Sequence, residues 1–207
     1  MKSSPPRVAL ASRVAASLLA VACVVAASPP SRAFAQRSER DHLTPQEIEL
    51  VRDAQEIDLR TAVFVKAVER RMRIITGQSP EDAKEAAKKE KGDKLDKEVA
   101  SAEWGDLPKA TRAELLYDVA HILDEAIENV DDTAQHNPKS PLLPKAVRKL
   151  SDACTRWLAQ LVPMRETTAD KAEREQLEQA IDNAQQIVEA AKKLPAEEKD
   201  AKPGKKG

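Results

Sequence analysis

Aromatic side chains are scarce in this chain, with only Phe34, Phe64, Trp104, Tyr117 and Trp157 among 207 residues. Surfaces that bind single-stranded nucleic acid stack bases on such rings, and any nucleic-acid surface needs an excess of basic charge. The formal net charge is −1, so neither requirement is met and nucleic acid is excluded as a partner. Cysteine is almost absent as well. Cys23 and Cys154 stand far apart, and no paired-cysteine or haem-attachment motif occurs. Only five glycines are present, and none forms a phosphate-cradling loop or a nucleophile elbow. No catalytic constellation is visible, so the chain is not expected to be an enzyme and no cofactor is expected.

Long apolar runs are missing too, with one exception. Val14–Ala27 is mostly apolar, follows Lys2, Arg7 and Arg13, and precedes the small-x-small triplet Ala33-Phe34-Ala35. A basic start, a short apolar stretch and a small-residue cleavage site describe a secretory signal over residues 1–35. A membrane-spanning helix needs about 20 apolar residues, so no span is expected once the leader is removed. Removing the four leader bases leaves 30 Lys and Arg against 35 Asp and Glu, a formal charge of −5. Cys154 is then the sole cysteine, and no disulfide can form within one chain. The expected location is the periplasm or the medium.

What the sequence has in abundance is helical spacing. Thr44-Pro45-Gln46-Glu47 has the form of a capping box with proline at the first helical position. It predicts a helix from there to about Thr76, stopped by Gly77 in a left-handed conformation. Leu50, Ala54, Ile57, Thr61, Phe64 and Val68 form its seam. The stretch Leu43–Glu47 comes near the Leu-Thr-x-x-Gln motif of exported helical chaperones. Here glutamine stands one place early and no second copy exists, so capping accounts for it and no family is assigned. Residues 78–106 are rich in charge and alanine, and read as a partly helical connection pinned to the body by Trp104.

Three more helices follow. One starts near Leu107-Pro108 or after Thr111, whose pairing with Glu114 is a second capping box, and reaches about Ala134. Its seam is Leu116, Val119, Leu123, Ala126 and Val130. After a proline-rich turn at 137–144, Leu143, Val147, Leu150, Cys154, Trp157 and Leu161 define the next, which Pro163 ends or kinks. Thr167 or Thr168 caps the last, with seam Leu177, Ala180, Ala184, Ile187 and Ala191. Residues 195–207 are a charged, disordered tail. The fold class is therefore all-α: an antiparallel four-helix bundle over 36–194.

Two features bear on function. Asp118, His121 and Glu125 lie at i, i+3 and i+7 and are the best candidate metal ligands. At 100° per residue His121 and Glu125 lie opposite the Leu116–Val130 seam, which argues against a buried dinuclear centre. The alternatives are a surface cation site or a solvated acidic face. Residues 113–132 hold seven acids and no base, and 139–165 hold six bases and one acid. That asymmetry predicts that these two helices pair as neighbours. The second feature is Ala62-Val63-Phe64-Val65, which covers every side of one turn, so some element must lie over it. That element is either the 78–106 connection with Trp104, or a partner touching Ala62, Val63, Val65 and Trp104. Arg70, Arg71 and Arg73 read as a helix-end and solubility feature. The functional expectation is an exported bacterial helical bundle that acts without catalysis, by binding itself, another protein or an envelope component. Its rivals are a divalent-metal protein using Asp118, His121 and Glu125, and a structural envelope spacer.

Overall fold

The computed structural model describes residues 41–78, 94–107 and 109–195. The expected leader at 1–35, residues 79–93 of the expected connection and all of the tail beyond Pro195 lie outside the described residues. Those described are all-helical, with six helices and no strand. They are α1 (Pro45–Asp53), α2 (Ile57–Thr76), α3 (Lys94–Ser101), α4 (Arg112–His136), α5 (Leu142–Thr167) and α6 (Lys171–Lys192). None is long and apolar enough to cross a membrane.

The caps follow the sequence signals closely. Thr44 and Glu47 form the capping box of α1, and Thr111 and Glu114 that of α4. Gly77 stops α2 at φ 66°, and its amide donates back to Arg73 and Ile74. Three local expectations need correction. Pro163 does not end α5, which continues to Thr167 with the proline inside it. Asp170 caps α6 through the Glu173 amide, while Thr168 is buried and donates its hydroxyl to the Met164 carbonyl.

The third correction is larger. The helix expected to run unbroken from Pro45 to Thr76 is divided at Ala54–Glu56. Nothing in that tripeptide disfavours helix, so the cause is tertiary. Glu47 bonds Arg71 at 2.8 Å, although the two would stand about 36 Å apart along one continuous helix. The chain must double back to bring them together. Arg60 of α2 donates to the Ala54 carbonyl at 3.0 Å and satisfies a group that the break leaves exposed.

One apolar core joins the four long helices. Phe64, Val68 and Met72 of α2 meet Leu116, Val119 and Leu123 of α4, Leu150, Trp157 and Leu161 of α5, and Leu177, Ile181 and Ile187 of α6. Each large aliphatic or aromatic side chain so buried contributes about 1.5–3 kcal/mol. α2 and α6 each pack against both α4 and α5, while α4 and α5 themselves touch only slightly. The acidic α4 and basic α5 are therefore not the close neighbours their charges suggested. The bases of α5 find other acids: Lys149 pairs with Asp96, Arg156 with Glu69 and Arg165 with Glu178. Core geometry set the neighbours, and surface charge adapted to it.

A smaller apolar cluster sits beside this core. Ala54, Ala62, Val63 and Val99 are buried together, with Leu50, Val51, Leu59 and Trp104 packed on them. Ala62 and Val63 are 4% and 3% exposed, and Val65 packs against the main core. The element over the apolar turn of α2 thus lies within the chain: α3 and the Trp104 segment.

Candidate functional site: a buried charge cluster and the histidines beside it

The strongest polar feature of the interior begins at the first capping box. Glu47 is fully buried, and its carboxylate accepts four hydrogen bonds. Oε1 takes Arg70 at 2.6 Å and Arg71 at 2.9 Å; Oε2 takes Arg71 at 2.8 Å and the Thr44 amide at 2.9 Å. Arg71 is only 1% exposed and uses every guanidinium hydrogen. Two go to Glu47 as a fork, one to the Ala67 carbonyl at 3.0 Å, one to the His42 carbonyl at 2.7 Å, and Nε–H to Asp118 at 3.3 Å. Arg70 spans outward from Glu47 to the Trp104 carbonyl at 3.1 Å, with its guanidinium 5.3 Å from the Trp104 ring centre. It also donates to the carbonyl of Gly105, whose φ of 59° suits a residue without Cβ.

Two arginines thus face two carboxylates, and the charge balances inside the fold. Burial alone would raise the Glu47 pKa. The Arg71 hydrogen bonds and charge, the Thr44 amide and the Arg70 charge outweigh it, and hold the pKa below 4.5. The cluster ties together the N-terminal segment, α1, α2, α4 and the Trp104–Gly105 turn. Arg70 and Arg71 are accordingly not a solubility feature, which corrects the expectation for that basic run.

Asp118 is the central correction among the proposed metal ligands. It is 1% exposed and engaged by Arg71, on the buried side of α4, instead of standing beside His121 and Glu125 at the surface. Among the described residues, no three His, Cys, Asp or Glu side chains form a group that could hold a metal ion. His121 and Glu125 do share a partly exposed face, and a third residue joins them from elsewhere. His42 Nε2 lies 2.9 Å from Glu125 Oε2, and its ring centre is 5.9 Å from that of His121. His121 stacks on Tyr117 at 3.8 Å between centres, with Nδ1 2.9 Å from the Tyr117 carbonyl. His42, just before α1, therefore packs on this face of α4, with Leu43 beside it buried in the core.

Sequence spacing carried a faint sign of the charge cluster. Arg71 continues the α2 seam three residues after Val68, and Asp118 interrupts a second apolar line on α4 made by Leu115, Ile122 and Ala126. Charges on seam positions mark a buried pair. Cys154 lies where its spacing placed it, inside the core, and burial pushes its thiol pKa up to about 12. The apolar-turn residues Ala62, Val63, Val65 and Trp104 all contact other parts of the same chain. Comparison with family models, with curated proteins and with solved structures finds no match to this chain.

Proposed function

We propose that the chain is an exported bacterial four-helix bundle that acts without catalysis, by binding another protein or an envelope component through its outer helix faces. The observation that carries this reading is the internal use of the buried Glu47 and Arg71 side chains. Arg71 commits all five donors to the fold, and Glu47 all four of its acceptances. The sole thiol of the mature chain is packed and protonated. Chemistry-bearing groups of the interior serve architecture, which leaves the surface as the acting part. An antiparallel four-helix arrangement is supported by the shared core of α2, α4, α5 and α6. Export is supported by the leader pattern at 1–35. The metal reading built on Asp118, His121 and Glu125 loses its first ligand to Arg71.

The test is photo-crosslinking in cells from the exposed apolar positions Ile48, Ile74 and Val162, which sample α1, α2 and α5. Export predicts a chain beginning at Gln36 outside the cytoplasm; an unprocessed cytoplasmic chain would overturn it. Binding predicts a discrete adduct from one of these faces and not from all three. Uniform absence of adducts would remove the binding reading and leave an envelope spacer.

A further inference from the structure

His42 and His121 meet on the outer side of α4, and an oxygen acceptor holds one ring nitrogen of each. The Tyr117 carbonyl can only accept, so His121 Nδ1 must carry the proton of that 2.9 Å contact. In the neutral ring this leaves Nε2 as the nitrogen with a lone pair. Glu125 likewise accepts from His42 Nε2 at 2.9 Å, which leaves His42 Nδ1 as the lone-pair nitrogen. An oxygen acceptor on one imidazole nitrogen that fixes the tautomer and raises the basicity of the other is the arrangement found behind metal-bound histidine.

The separation of the rings also fits. A metal–nitrogen bond of about 2.0–2.1 Å puts an imidazole centre about 3.2 Å from the ion, so two rings on one ion have centres from about 4.5 Å apart at a right angle to about 6.4 Å when opposed. The observed separation is 5.9 Å. The pair is anchored from below as well. The His42 carbonyl is bonded by the buried Arg71 guanidinium at 2.7 Å, and the stack on Tyr117 holds the His121 ring. Access remains open, since the side chains of His42 and Glu125 are 25% and 31% exposed.

We propose that His42 and His121 form a two-imidazole site for a borderline divalent ion, Cu2+ before Zn2+ or Ni2+. Glu125 orients His42, and water fills the remaining positions. Imidazole nitrogen suits these ions, and Cu2+ leads the affinity order. The site needs two protein ligands, not three, and replaces Asp118 with a residue far away in the sequence. It is independent of the binding role proposed above.

The chain's only histidines are His42, His121 and His136, so three variants exhaust the imidazoles. The untagged chain is titrated with Cu2+ alone and followed by native mass spectrometry and electron paramagnetic resonance. The expected result is one ion per chain with hyperfine coupling to two nitrogens. His42→Ala and His121→Ala should each remove the two-nitrogen spectrum, Glu125→Gln should weaken binding about 10–100-fold, and His136→Ala should change nothing. If His121→Ala fails to fold, His42→Ala decides, because it keeps the backbone carbonyl that Arg71 uses. Failure of the parent chain to bind one ion, an unchanged spectrum in His42→Ala, or loss of binding in His136→Ala would each overturn the site.

Discussion

Two sets of ion pairs in this molecule use the same chemistry to different ends. On the outside of α5, Arg165 meets Glu178, with both side chains 40% exposed, and water solvates either partner if the other leaves. Under α1, Arg71 meets Glu47 and Asp118 with all three side chains buried. There the attraction is set against the cost of stripping water from the charges, so the cluster is not in itself a reason for high stability. Its worth is selective. A structure that buries one partner without the others is heavily penalised, so the cluster favours the observed placement of α1 on α2.

The comparison is broken most severely at Arg71. Arg71→Ala leaves two buried carboxylates and should cost about 3–5 kcal/mol in urea unfolding. Replacing Arg71, Glu47 and Asp118 together with apolar residues of similar volume should recover most of that loss. Trp104→Ala comes next. It removes the ring over the satellite cluster and the 2.8 Å bond to the Val99 carbonyl, and should cost about 2 kcal/mol, with hydrogen exchange rising first in α3.

Acid sharpens the contrast. The folded pKa of Glu47 lies below its ordinary value of 4.5, so its contribution is fully present above that pH. It fades as pH falls through the lowered folded value. Stability measured from pH 6 to 2 should therefore drop, and Glu47→Gln should drop less steeply from a lower start. A curve for Glu47→Gln parallel to the parent would assign the acid loss to other groups. The smallest effect belongs to the surface pair, where Arg165→Ala should change stability by about 0–1 kcal/mol. A loss there as large as at Arg71 would erase the distinction.

Most helix positions were legible because periodic burial and capping chemistry are local. Thr44 with Glu47, Thr111 with Glu114, and Gly77 all act where their spacing indicated. The division at Ala54–Glu56 was not legible, since its cause lies at Arg71 and Asp118, far along the chain. The same applies to the candidate sites. Helical geometry correctly put His121 and Glu125 on one face and Cys154 on another. It could not reveal that Asp118 would be drawn to an arginine of α2, or that His42 would arrive from outside the helix. Residues 62–65 show the complementary case: their all-round apolarity signalled a covering element, either the 78–106 connection or a partner, and the fold puts α3 and Trp104 of that connection there.

The clasp at Glu47 also bears on the order in which the fold can be completed. Glu47 and Arg71 are 24 residues apart, Arg71 and Asp118 47, and His42 and Glu125 83. Contacts of long separation close late, because chain entropy must be surrendered before they form. Residues 42–47 leave the ribosome before any of these partners, yet they can lock only after α2 and α4 have met. The beginning of the described chain is thus among the last parts to be fixed, and the integrity of the whole can be read there.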